Sequence, residues 1–371
     1  MSGLALVWHM HQPTFVPDDE LTGWVERSYA PLVDAHAERE LPLAVNVTGA
    51  LLERLADVAP AFLERLRTLV EEGLVEPLGS GHHHPSFPLL SPVDARAHVR
   101  RDRDATERYL GAAPTGFWPT DLAWVHWLVP VLRDAGYDWT VVDAAALVEG
   151  NALPQWEATE KQRVTALRPD RSSLTLETEF HRPYAATLGE QSLGVFVRDG
   201  PRSNALVGPE SVLRDAEAVD EYVGDLTPRA RNGSVLVGGD AERIDTGTLR
   251  GYRRFLDHLV ETDVAVDTPE AVYDDLASTR FFPASTFQYD LEPWTAAADD
   301  RAYLRLLDEA SRRVDDLRLD GGDEQARRRA ESLLLEAQDS GRLFWHYLRR
   351  TREPSYRCAY EALSTAREGL Q

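Results

Sequence analysis

A chain of 371 residues with a hydrophobic share of 43% can bury one large core and a smaller second one, which excludes a disordered tail or a disulfide-stapled miniprotein. The formal net charge of -22, from 62 acidic against 40 basic residues, excludes nucleic acid and anionic membrane as natural partners. No apolar run approaches the roughly 20 residues that a spanning helix needs.

Cys358 is the only cysteine, so the chain has no internal disulfide framework and no cysteine-rich metal site. Lys161 is the only lysine; the other basic residues are arginine. An acidic surface of this kind suits a salty cytoplasm, where screening weakens self-repulsion. A GC-rich genome would favour Arg over Lys but would not account for the acid excess. The chain opens on a strand-like run rather than on a basic stretch and an apolar segment, so the expectation is a cytoplasmic protein without a signal peptide.

Taken in chain order, short apolar runs predict strands at Leu4–Trp8, Leu43–Val47, Leu74–Leu78, Gly116–Trp118, Trp139–Val142, Leu193–Val197 and Val235–Val237. Helical patterns lie between several of them. They cover Ala50–Glu72 with a break at Pro60, Val93–Leu110 with Ser91 as N-cap and Pro92 in first position, Trp124–Ala135, Glu210–Val223 and Thr248–Glu261. This alternation predicts a parallel sheet with right-handed crossovers, and seven strands favour closure into a barrel. Residues 149–183, punctuated by prolines, read as an irregular insertion. After residue 280 the strand signal stops. Ala298–Leu317, Glu324–Asp339, Phe344–Arg349 and Tyr356–Gly369 predict a C-terminal helical bundle. The expected division is a barrel domain over 1–280 and a helical domain over 281–371.

The chemistry-bearing residues cluster at predicted strand ends, where a parallel barrel builds its site. His9 and His11 share one face of the first strand, and Pro13 ends it. They are either site residues or satisfied core histidines. The third strand carries Glu76 and runs into Gly79-Ser80-Gly81, whose glycines would let a ligand approach the backbone, and then His82, His83 and His84. Trp118 stands near Asp121, which suits a sugar: the indole face stacks on a pyranose while the acid reacts. The other reading of Asp121 is the N-cap of a helix beginning near Trp124. Asp240 and Glu242 follow an apolar strand and two glycines, which places Asp240 at the mouth. Arg198 would clamp a carboxylate or form a structural pair at the same rim.

In order and spacing these segments resemble glycoside hydrolase family 57. The matching stretches are His11-Gln12-Pro13, Asn46-Val47-Thr48, Glu76-Pro77-Leu78-Gly79-Ser80 with His84-Pro85, Trp118-Pro119-Thr120-Asp121, Arg198-Asp199 and Asp240-Ala241-Glu242. The likeness extends loosely to Ala337–Trp345. The resemblance implies an incomplete (β/α)7-type barrel followed by helices, retaining two-carboxylate chemistry on an α-glucan by hydrolysis, transfer or branching, and no cofactor. It makes Asp121 the nucleophile and Asp240 the acid/base. Asp240 would need a raised pKa, supplied by burial beside Asp121 and Glu242. His9, His11, Gln12, Glu76, His84, Trp118, Arg198 and Glu242 become substrate-site residues. The chain departs from the family at Asp121, which replaces a Glu one methylene longer, at Asn204, at Ala241 and at the bulky Leu122, Trp124 and Trp127. Two rivals stay open: a degenerate glucan-binding barrel, and a metal-dependent hydrolase using His9, His11, the third-strand histidines and Asp240. Glucan length, linkage and oligomeric state are not legible.

Overall fold

The computed structural model describes residues 2–148, 180–272, 279–282, 284–287, 291–321, 323–344 and 352–370. Among them, apolar runs form the strands β1 (Gly3–Met10), β2 (Leu43–Val47), β3 (Val75–Leu78), β4 (Gly116–Phe117), β5 (Trp139–Asp143), β6 (Tyr184–Leu188), β7 (Gln191–Arg198) and β8 (Ser234–Asp240). β1, β2 and β5 are buried along their whole length, as strands covered on both faces must be. The lateral order is β3-β2-β1-β8-β7-β5-β4, with every neighbour parallel.

Gly79 joins the two ends of this order. Its N–H donates to the Gly116 carbonyl at 2.9 Å, and its carbonyl accepts from Trp118 at 2.8 Å. The result is the expected seven-stranded parallel barrel, nearly closed, with helices outside it. Ala5, Val7, Ala44, Leu78, Trp118, Trp139, Val141, Phe196 and Leu236 fill the interior. β6 is an addition: it pairs antiparallel with β7 across a turn in which Gly189 has φ 63°. The expected irregular insertion lies outside the described residues from 149 to 179.

Most expected helices form, for the reasons foreseen. Gly49–Val58 and Pro60–Glu71 part at Ala59, whose backbone leaves the helical region (φ -142°, ψ 55°) before a proline. Pro92–Leu110 starts where Ser91 Oγ accepts from the Asp94 N–H at 3.1 Å. Two expectations shift. The helix after Asp121 begins only at Leu128, because Trp124 pairs with Ser285 instead. The next starts at Ala216, where the Asp215 side chain caps it. A helical stretch over 18–37, interrupted by a wider turn at Val25–Tyr29, was not foreseen.

The helices Ala298–Leu319, Glu324–Ala337 and Arg352–Gly369 share a core of Ala310, Val314, Leu334 and Leu363. A buried polar knot ties them to the barrel side. Asp94 Oδ2 accepts from Ser311 Oγ at 2.6 Å and from Gln338 Nε2 at 2.9 Å, and Gln338 Oε1 lies 3.1 Å from His98 Nε2. Of the helix expected at Phe344–Arg349, only its first residue is described, in the turn Gly341–Phe344.

Candidate active site

The mouth of the barrel is built at the C-terminal ends of β1, β2, β3 and β8. Alternation on β1 brings His9 and His11 to one face. In register, His9 stands between Asn46 on β2 and Asp240 on β8. Its Nδ1 donates to Asn46 Oδ1 at 2.6 Å; the direction is fixed because Asn46 Nδ2 donates to the Leu78 carbonyl at 3.1 Å. His9 Nε2 lies 2.9 Å from His84 Nε2. His11 Nδ1 lies 3.0 Å from Thr48 Oγ1, and its ring stacks on His84 with centroids 4.0 Å apart and planes 7° apart. Burial pushes the pKa of all three histidines below the ordinary imidazole range.

The carboxyls divide unevenly around these rings. Asp121 adopts a left-handed backbone, φ 54° and ψ 19°, followed by Leu122 at φ 48°, and His84 across the site has φ 57°. Such conformations cost about 1–3 kcal/mol each in a non-glycine residue and persist only where surrounding structure enforces them. Asp121 is therefore no helix N-cap. Its Oδ2 lies 2.8 Å from Ser340 Oγ, and burial pushes its carboxyl up to about 7, with the Asp240 charge adding to the rise. Asp240 itself is exposed. The burial anticipated there is missing, because Asp240 is the last residue of its strand and projects past the packed interior, while Asp121 and Glu242 are half-buried. Glu242 accepts from Tyr29 Oη, from Gln12 Nε2 at 2.9 Å and from the His11 N–H at 3.4 Å, and burial raises its carboxyl to about 7.

The C-terminal helices complete the mouth. Ser340 N–H donates to the His84 carbonyl at 2.9 Å, and Asp339 bridges Pro85. Asp339 Oδ2 lies 3.7 Å from His11 Nε2, and neither atom has a hydrogen-bond partner among the described residues. Burial pushes Asp339 up to about 7 as well. Tyr29, Asp339 and Ser340 were missed as site residues. The only sequence signal for the last two was the polar run Gln338-Asp339-Ser340 stopping a helix before Gly341.

Several expected site residues lie elsewhere. Glu76 sits two residues short of its strand end, so its side chain enters the barrel's base, among Thr268, Glu270 and Asp267. Arg198 is consumed by Asp143 at 2.6 Å, the Gly238 carbonyl at 2.8 Å and Asn204 Oδ1 at 3.1 Å, so it is the structural pair and clamps neither Asp121 nor Asp240. Trp118 is only 3% exposed; its ring lies 6.3 Å from His9 and forms a floor beneath the histidines rather than an open stacking face. His82 turns to Glu53 and His83 to His98. Gly79 and Gly81 are small for internal reasons: a Cβ would meet Tyr137 at 2.0 Å and Pro85 at 2.3 Å.

His11, His84 and Asp339 bring three ligating atoms within 4.8 Å of one another. They do not fit a metal as arranged. An ion lies in the plane of each imidazole that binds it, and the two stacked rings occupy near-parallel planes. Both His84 nitrogens are also engaged, with His9 and with Ser340. Asp240, which the metal reading needs, is not in this group.

The fold is thus a nearly closed seven-stranded parallel barrel with Asp121 and Asp240 at its mouth and helices closing over it. The chain belongs to glycosyl hydrolase family 57, whose sequence profile matches residues 5–263. It is 33% identical over 141 residues to a 4-alpha-glucanotransferase of Thermococcus kodakarensis, covering 36% of this chain and 21% of that protein. It is 28% identical over 138 residues to alpha-amylase 1 of Dictyoglomus thermophilum, covering 37% of this chain and 20% of the relative. The matches thus span about a fifth of those relatives' length. Among solved structures, a family-57 branching enzyme from Thermococcus kodakaraensis superposes with a TM-score of 0.77 at 16% identity, over 97% of this chain and 88% of the other. Among the described residues, no helix is long and apolar enough to cross a membrane.

Proposed function

We propose that this chain is a retaining α-glucan hydrolase or glucanotransferase, with Asp121 as nucleophile and Asp240 as general acid and then base. The observation that carries the reading is the pairing of Asp121, on a strained backbone and linked through Ser340 to His84, with an exposed Asp240 whose charge reaches it. The family and the names of its relatives support an α-glucan as substrate. His11 Nε2 and Asp339 Oδ2, buried and unpartnered, are free to meet sugar hydroxyls. Retaining chemistry needs about 5–5.5 Å between the carboxyls of Asp121 and Asp240. The barrel over 1–280 would supply both acids, and the helices over 281–371 one wall.

The test is turnover of maltoheptaose. Asp121→Ala and Asp240→Ala should each lower kcat by roughly 10^3-fold or more. Wild-type rates in both variants would end the assignment. The second reading is a glucan-binding barrel without turnover, favoured by the short Asp121 side chain held against Ser340. Binding without turnover, unrestored by Asp121→Glu, would select it. We further infer a cytoplasmic protein of a salt-loving microbe from the charge of -22. Its Tm should rise with KCl, and full stability in low salt would refute that origin.

A further inference from the structure

Four hydrogen bonds join five groups in a line at the mouth. They run from Asp121 Oδ2 to Ser340 Oγ (2.8 Å), from Ser340 Oγ to His84 Nδ1 (3.1 Å), from His84 Nε2 to His9 Nε2 (2.9 Å) and from His9 Nδ1 to Asn46 Oδ1 (2.6 Å). Each bond needs one proton. Asn46 gives none, because its amide nitrogen is turned to the Leu78 carbonyl. Two neutral imidazoles and one hydroxyl give three. An ionised Asp121 gives none. With every group in its usual neutral-pH form the line is one proton short, and somewhere along it two lone pairs must face each other.

We propose that His9 and His84 hold this fourth proton in common and act as a fixed counter-cation for whichever of Asp121 and Asp240 is charged. The inference rests on the reading of those two aspartates as the reacting pair. The transfer conserves charge. Asp121 gives its proton to Ser340 Oγ, while the Ser340 hydroxyl proton passes to His84 Nδ1. Asp121 becomes a carboxylate and the imidazole pair a cation, with nothing released to solvent.

In the first half-reaction the Asp121 oxygen bonds to the anomeric carbon, the glycosidic C–O bond breaks, and the Asp240 proton moves to the leaving oxygen. Asp121 loses its negative charge as Asp240 gains one. In the second half, water or a sugar hydroxyl returns a proton to Asp240 and takes the anomeric carbon, freeing Asp121 as carboxylate. The cation is placed for both states: His9 faces Asp240 in register, and His84 reaches Asp121 through Ser340.

Other charged or titratable groups face this line. From the barrel come His11, stacked on His84, together with Arg54, Asp240 and Glu242; from the C-terminal turn come Asp339 and Arg342. Burial lowers His9 and His84 and lifts Asp121; the Asp240 charge opposes burial at His9 without reversing it, so the hydrogen-bond count and the position of His9 beside Asp240 are what place the proton. Ser340, His84 and His9 are therefore positioning residues for the proton, with no need to touch the sugar.

The experiment combines histidine ¹⁵N NMR of the full chain with pH–rate profiles. At pH 7 the wild type should show one imidazolium shared by His9 and His84. Asp121→Asn supplies the fourth proton from its own amide, so both rings should then read neutral. Ser340→Ala should move the acid limb of kcat/KM upward by at least one pH unit, with the rate recovering toward alkaline pH. Two neutral rings in the wild type would overturn the proposal, and so would a Ser340→Ala loss equal at every pH. If no α-glucan is turned over, the functional reading fails, and the imidazolium signal alone decides the relay.

Discussion

Two sectors of the barrel rim carry aspartates and give them different partners; burial still raises Asp143 beside Arg198, so the sharpest contrast is between Asp199 and Asp121. Around β5 and β7, Asp143 is paired with Arg198, and Asp199 accepts from His181 at 3.0 Å and from Arg202 at 2.8 Å. Burial lifts Asp199, but His181 and Arg202 outweigh it and hold the carboxyl below its ordinary range. Around β1 to β4 no arginine hydrogen-bonds to Asp121; its partner is a serine, and burial carries it to about 7. The difference separates scaffold from chemistry. Asp199, with two cationic partners, is held as a carboxylate and stabilises the rim. A buried carboxyl with uncharged partners is poised to change state near neutral pH, which is what acid–base work requires.

The sharpest way to break this contrast is Arg198→Met. It leaves Asp143 buried without its cation and should lower stability by about 3–5 kcal/mol, read from urea unfolding. Activity per folded molecule should stay within a few-fold of wild type, since Arg198 is engaged with Asp143, Gly238 and Asn204 rather than with Asp121 or Asp240. A large kcat loss in folded protein would move the chemistry into the arginine sector. The next test loosens the wall rather than the rim. Asp94→Ala strands Ser311 and Gln338 and should cost about 1–3 kcal/mol. Because Gln338 precedes Asp339 and Ser340, KM for glucan should rise with it.

The smallest effect belongs to the base of the barrel. Burial raises Glu76 from 4.5 to about 7. Between those values the folded chain binds a proton that the unfolded chain has lost, so this group's contribution to stability falls as pH rises from 4.5 to 7. Glu76→Gln should therefore gain roughly 1–2 kcal/mol at pH 8 and nothing at pH 4, measured by thermal melting. A gain at both pH values would show that the carboxyl is not buried as a charge.

The barrel was legible because its apolar runs are short, evenly spaced and separated by amphipathic stretches. His9, His11 and Asp240 were legible because a strand end fixes where a side chain goes. β6 was not, since Tyr184–Leu188 gains its partner only through a turn beyond a proline-rich stretch. The Asp18–Ala37 helices hid behind Pro17 and Pro31. Glu76 misled because motif order says nothing about depth along a strand. The left-handed backbone at Asp121 had no signal at all, as that conformation is usually announced by glycine. Asp339 and Ser340 reach the mouth only through tertiary packing, which no local pattern encodes.

Ser340 follows Asp121 by 219 positions. A chain still emerging from the ribosome therefore carries Asp121 and the mouth histidines long before the residue that tethers them arrives. The mouth reaches its final geometry only when the late helices fold back over the barrel, so the last stage of folding sets how Asp121 and His84 are held.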